Sequence, residues 1–255
     1  MAGPSPTVCY VSMIIKGDVP WRDARVRQAM NYAADKESIV KYVLEGHGKV
    51  VPTVVSAYSY GYNPNIKPFP HDPARAKKLL AEAGYPNGFT VDMDVPMGRY
   101  VKGREAAEAL AGQIKKVGVT VNVKPVEWGH WVNHLKSRWE PHVKPFWSWA
   151  CRSDSLLHSE GQFQGHVHGR ATWTGFRDKE VDKLIDSARA ETDDEKRLKK
   201  YRNVPLCQPR HLREGPLDLH VPAVPDPREE QARQLEDAVH ARHLALRPEL
   251  EEVGR

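Results

Sequence analysis

Three histidines crowd one short stretch, His158-Ser159-Glu160-Gly161-Gln162-Phe163-Gln164-Gly165-His166-Val167-His168, and form the most metal-like grouping in the chain. His166 and His168, two residues apart, would project both imidazoles to one side of an extended strand, with Glu160 as an oxygen donor. The stretch is glycine-rich and offers no fourth ligand at a recognised spacing, so a structural or exposed loop is favoured; no metal and no other cofactor is expected. Asp92 and Asp94 fall on one face of a strand, which geometry allows for acid–base work. Carboxylates facing solvent on strands are commonplace, however, and no sequence neighbour separates the two. The chain holds no nucleophile elbow, Walker loop, GxGxxG or HExxH, so an enzyme is not expected. Cys9, Cys151 and Cys207 share neither CxxC nor zinc-finger spacing and predict neither a zinc site nor a disulfide framework. The aromatics are more informative. Trp147, Trp149, Trp173, Tyr58, Tyr60 and Tyr62 lie in or beside predicted loops, where large rings line clefts and pack on ligands without a fixed code. For any one of them, filling a core is an equal alternative; Trp149 and Tyr58 are the expected ligand contacts.

These residues must be positioned by the elements around them. Thr7 to Ile15 is rich in β-branched and aromatic residues and reads as a strand. Asp23 caps a helix from Ala24 to Ala33, and Asp35 and Glu37 open a second helical run that Gly46 stops. Val50 to Pro70 dissolves into Pro, Gly, Tyr and Asn, a long loop of the kind that often carries function. Asp72 to Gly88 then spells out a whole helix: an aspartate cap, proline in the first turn, and Ala76, Leu79, Leu80 and Ala83 as an inward stripe, with Gly84 as the left-handed stop. Phe89 to Val95 reads as a strand, Gly103 to Gly118 as a helix, Val119 to Val126 as a strand, Trp128 to Trp139 as a helix and Phe146 to Ala150 as a strand. Helices follow from Asp178 to about Thr192 and from Asp193 onward. This alternation predicts an α/β fold, with a mixed or mostly parallel sheet flanked by helices.

The wording of several segments resembles one family. Asp72 to Gly88 is similar to the DP-x-x-AK-x-LL-x-EAG-YP-x-G segment of the family 5 extracellular solute-binding proteins, the dipeptide, oligopeptide and nickel receptors of ABC importers. Asp23 to Val40 resembles the family's D-x-RVRQA-x-NYA-x-DK-x-x-IV, and Gly118 to Trp128 its VGI-x-V-x-x-x-x-x-EW. The resemblance runs from residue 7 to 201 and covers the family's second lobe only. It implies one lobe of a type II periplasmic-binding-protein fold, which closes on its ligand like a flytrap. It further implies a peptide or other small solute as ligand, ABC permease subunits as partners that hold the protein peripherally at the membrane, and a monomer without catalysis. In open α/β sheets ligands collect beyond the carboxyl ends of strands. Met97-Gly98-Arg99-Tyr100 and Cys151-Arg152-Ser153-Asp154 would therefore face the cleft. By resemblance, Asp154 matches the aspartate that meets a peptide's ammonium group, while Arg99 or Arg152 can clamp a carboxylate bidentately. A nickel-type, metal-chelate receptor using His158, His166 and His168 is the alternative, and a hydrolase ranks lower.

With 40% hydrophobic and 28% charged residues among 255, the chain fits a globular protein without an 18-residue apolar span. Its net charge of +5 is spread through mixed-sign helices, which argues against a nucleic-acid groove. Met1 to Pro6 lacks the pattern of a secretory signal. Taken literally this predicts a cytoplasmic protein, whereas the resemblance implies a periplasmic or membrane-anchored extracellular one with its exported front absent. Beyond Tyr201 the composition changes: Lys, Ser, Thr, Ile, Met, Phe, Tyr and Trp vanish, and Pro, Arg, Leu, Glu and His take over. Residues 1–201 are therefore expected to form the lobe, and 202–255 a disordered or frameshifted tail. Codons for Gly215 to Glu236, shifted by one nucleotide, can read APWIFMYQQSQIHGKSKRVNWK, similar to the family's APWI-x-x-YQQ strand and terminal V-x-NW.

Overall fold

The computed structural model describes residues 7–53, 57, 60–152, 175, 179–203 and 217–219, all within a unit spanning Pro6–Pro222. Five strands form one mixed sheet: β1 (Val8–Met13), β2 (Thr90–Pro96), β3 (Thr120–Val126), β4 (Trp147–Arg152) and β5 (Leu217–Leu219), in the order β3-β2-β4-β1-β5. β2 runs parallel to β3 and β4, while β1 runs antiparallel to β4 and β5. The sheet is thus the expected α/β layer, of the mixed kind.

The helices begin and end where their caps dictate. α1 (Ala24–Ala33) starts at Asp23, whose carboxylate accepts from the Arg25 N–H. α2 (Lys36–Ser38), capped by Asp35, passes directly into a π-helical stretch, Ile39–Val43. α3 (Pro73–Glu82) has Asp72 accepting from the Arg75 N–H at 2.9 Å, and the chain leaves it through Gly84 at φ +91°. α4 (Gly103–Lys115), α5 (Trp128–Lys136), α6 (Lys179–Arg189) and α7 (Asp194–Arg202) follow.

Strand alternation divides the core into two layers. Cys9, Val11 and Met13 of β1, Val91, Met93 and Val95 of β2, and Trp147 and Trp149 of β4 pack with apolar residues of α1, α3 and α4. Tyr10, Ile14, Phe146 and Ala150 belong to a second cluster with Trp131 and Leu135 of α5, Val181, Ile185 and Ala188 of α6, and Tyr201 of α7. β1 is buried along its whole length, and so reads as one apolar run instead of an alternating strand.

The α1 motif is explained by this packing. The buried Arg27 donates to the Trp21 and Arg22 carbonyls, and Asn31 donates to the Arg27 carbonyl while accepting from the buried Lys36 at 3.0 Å. These bonds partner the Arg27 Nη1, the Asn31 amide and the Lys36 ammonium inside the lobe, while Arg27 Nε stays buried without a hydrogen bond. Their wording identifies a fold and not a ligand site.

One expectation is corrected. Cys9 and Cys151, opposite one another in the β1–β4 register, form a disulfide, which their spacing of 142 residues in the chain conceals because only strand pairing brings them together. The sheet also extends past residue 201: α7 runs to Arg202, and the backbone of Leu217–Leu219 pairs with Cys9–Val11. Composition reports the change of language after Tyr201 but is blind to the free edge of β1 that recruits a strand.

Candidate functional site

Because β2, β3 and β4 are parallel, their carboxyl ends share one edge of the sheet. That edge gathers the 97–101 segment after β2, Glu127 and Trp128 after β3, and Cys151 and Arg152 at the end of β4. Glu127 accepts from the His130 N–H and caps α5; N–H groups of Gly129 and His130 hold its carboxyl below the usual range. This cap fixes where Trp128 and Trp131, three residues apart on α5, project over the sheet.

Between α5 and the sheet lies a cavity of about 190 Å³, lined by Tyr10, Ser12, Tyr100, Trp128, Trp131, Leu135, Ser148, Ala150 and Cys151. Its wall is a chain of rings. Trp128 stacks on Trp131 at 4.8 Å, and Tyr100 meets Trp128 edge to face at 6.4 Å. The Trp131 indole donates to Ser148 Oγ at 2.9 Å, which anchors it to β4. Burial pushes the Tyr100 phenol up, and a hydrogen bond with the Cys151 backbone works in the opposite direction. No lining residue carries a formal charge at neutral pH. At the rim the Arg99 guanidinium lies 5.2 Å from the centre of the Trp128 ring, with Met97 and Val101 exposed nearby in sequence.

The sequence-predicted residues distribute unevenly around this cavity. Arg99 stands on its rim. The backbone of Arg152 ends β4 at the same edge, paired with Val8. Trp149, an expected ligand contact, is completely buried in the core beside Gly103 and offers a solute no surface, so that assignment is corrected. Trp147 is buried likewise. Tyr60 donates to the Asp194 carbonyl at 2.9 Å and packs on Tyr201, a tie between the long loop and α7. Tyr58, Asp154, Trp173, His158, His166 and His168 lie outside the described residues. Among the described residues, no group of three or more His, Cys, Asp or Glu side chains could hold a metal ion. Sequence reasoning overlooked Tyr10, Ser12, Trp131 and Ser148. The signal available for Trp131 was its three-residue spacing from Trp128 after a capping glutamate.

Asp92 and Asp94 share a face as expected, but their surroundings differ. Asp92 is paired with Lys124 and Asn122 across β3, and the Lys124 ammonium together with the Asn122 amide holds its carboxyl below the usual range. Asp94 is buried and meets His134 instead. A depressed carboxyl favours the folded state at neutral pH and loses that contribution as pH falls through its folded value, below about 4. An NMR titration of Asp92 Cγ should therefore show a midpoint below that of an unfolded aspartate, with Lys124→Met restoring it.

The matched proteins are of one kind. Residues 2–157 match the model described as bacterial extracellular solute-binding proteins, family 5 Middle. The dipeptide-binding protein of Escherichia coli K12 is 30% identical over 211 residues, 79% of this chain and 38% of that protein. Heme-binding protein A of Haemophilus influenzae is 30% identical over 187 residues, 72% of this chain and 34% of that protein. The solved structure of HbpA2 from Haemophilus parasuis superposes with a TM-score of 0.74 at 22% identity, over 86% of this chain and 43% of that one. The chain thus spans less than half the length of these proteins, and its sheet is that of a type II periplasmic binding protein. It belongs to the family 5 bacterial extracellular solute-binding proteins.

Proposed function

We propose that this chain is the carboxyl-terminal lobe of a peptide-type receptor, and that the cavity under α5 takes part of the solute. The observation that carries the reading is the ring-walled, uncharged cavity at the shared carboxyl edge of β2, β3 and β4, with Arg99 on its rim. A volume near 190 Å³ suits one apolar side chain or ring, not a whole oligopeptide. The guanidinium can then meet a carboxylate outside the cavity, fixing orientation. A monomer delivering a peptide or similar solute to ABC permease subunits follows from this reading. The Cys9–Cys151 disulfide supports an oxidising compartment such as the periplasm.

Isothermal titration with hydrophobic di- and tripeptides tests the assignment. Trp128 is 38% exposed, so Trp128→Ala removes cavity wall with little cost to the fold. It should weaken binding about 10- to 30-fold, the loss of roughly 1.5–2 kcal/mol. Arg99→Gln should weaken peptides with a free carboxylate and spare their amidated forms. Equal affinities for wild type and Trp128→Ala would remove the cavity from the account.

The tail enters the same reading. With permitted third-position codon choices, a frame shifted by one nucleotide can place tryptophan, isoleucine and phenylalanine at the three positions of β5, residues well suited to a strand edge. We infer a frameshift between about Asn203 and Arg213. Coding DNA carrying TGG across the Leu217–Asp218 and Leu235–Glu236 codon junctions is the expected result, and other bases there exclude it.

A further inference from the structure

A second cavity, about 210 Å³, lies on the same side of the sheet and is lined by Asp92, Asp94, Lys124, His130, His134 and Lys144 among others. Its most constrained member is Asp94. The side chain is only 5% exposed, and a buried carboxylate is costly unless partnered. The partner is His134 Nδ1 at 2.5 Å from Asp94 Oδ2. The imidazole is stacked on Phe146, with ring centres 4.0 Å apart and planes within 9°. His134 is therefore gripped by β2 on one side and by the residue preceding β4 on the other.

His134 stands on the short helix that carries the aromatic wall. One turn back is Trp131, bonded to Ser148, and two turns back is Trp128, the stacked partner of Trp131. At about 1.5 Å of rise per residue, the His134 contact lies roughly 4.5 Å along the axis from Trp131 and 9 Å from Trp128. Trp131 and His134 both tie this nine-residue helix to the sheet, so the strength of the His134 fastening is felt at the rings.

We infer that Asp94 and His134 are a protonation-dependent clamp on α5 that positions Trp128 and Trp131 over the solute cavity. The inference rests on the solute-cavity reading given above. With a neutral imidazole the contact is a single hydrogen bond to a carboxylate; with an imidazolium it becomes an ion pair in a poorly solvated place, and stronger. Among the described residues, other charged or titratable groups stand near the pair. Asp92 on β2 is engaged by Lys124 of β3; Lys144, just before β4, lines the same cavity as a cation; His130, one turn back on α5, has its ring 6.2 Å from that of His134. Asp94 alone among them is both buried and in contact with the imidazole. Neither residue lines the cavity under α5, so the pair acts on that cavity through the helix.

The test needs no ligand. Indole N–H resonances of Trp128 and Trp131 and ring resonances of His134 are followed by NMR from pH 5 to 8 in the wild type, His134→Gln, His130→Gln and Asp94→Asn. Both indoles should shift in the wild type with the midpoint of the His134 ring, keep that shift in His130→Gln, lose it in His134→Gln, and keep less than half of it in Asp94→Asn. Indoles that do not respond to pH in the wild type, or that respond equally in His134→Gln, overturn the clamp. If Asp94→Asn does not fold, the two histidine variants still decide. Failure of the solute reading is recorded separately, as indole resonances that no peptide moves at any pH.

Discussion

Replacing Trp149 with alanine is expected to cost about 3–5 kcal/mol of folding stability, the range for deleting a large buried aromatic. The indole is wholly enclosed between the sheet and α4. Its Nε1 lies 3.5 Å from where a Cβ on Gly103 would stand, so the helix backbone approaches it closely. That N–H is buried without a hydrogen-bond partner, which makes Trp149→Phe informative. Phenylalanine gives up volume but also removes an unsatisfied donor, and should cost less than half as much as alanine. Urea denaturation of the two variants checks this. A large loss in Trp149→Ala with solute affinity unchanged in the folded fraction assigns the residue to the core; unchanged stability with lost affinity would return it to the ligand site.

Removing the Cys9–Cys151 disulfide is the second large effect. The bridge joins residues 142 apart, and closing a loop of that length restricts the unfolded chain by about 4–5 kcal/mol on the chain-entropy account. For a lobe of roughly 200 residues this corresponds to a melting temperature lower by about 10 °C. Thermal unfolding with and without reductant measures it, with the Cys9→Ala, Cys151→Ala double variant as control. Cys151 also lines the cavity proposed for the solute, so the reduced protein should bind hydrophobic peptides more weakly even where it remains folded. A melting temperature insensitive to reductant would mean that the bridge does not contribute.

Much of the fold was legible because its signals are local. Asp23 and Asp72, read as caps, each accept a first-turn N–H, and Asp35 and Asp193 do the same at the start of the helical runs they open. The strand and helix order followed from β-branched enrichment, helical spacing, caps and glycine stops. What escaped the sequence depends on pairing between distant segments. The cysteine bridge and β5 exist because β1 has neighbours on both sides, and no spacing rule encodes that. The site was half legible for the same reason. Arg99 and the carboxyl edge were reached from strand order, since a parallel sheet places its loops together. Trp149 was misassigned because alternation along β4 decides which face a ring takes: Trp147 and Trp149 turn to the α4 side, and Ser148 and Ala150 to the cavity. Asp94 was read as solvent-facing because α5, which covers it, lies forty residues further on.

The most direct test of the central claim is a peptide titration of the isotope-labelled chain. A hydrophobic dipeptide is expected to shift the indole resonances of Trp128 and Trp131 and the backbone amides of Tyr100 and Cys151, saturably and together. Perturbations confined to other surfaces, with these four signals unmoved while the peptide binds, would contradict it.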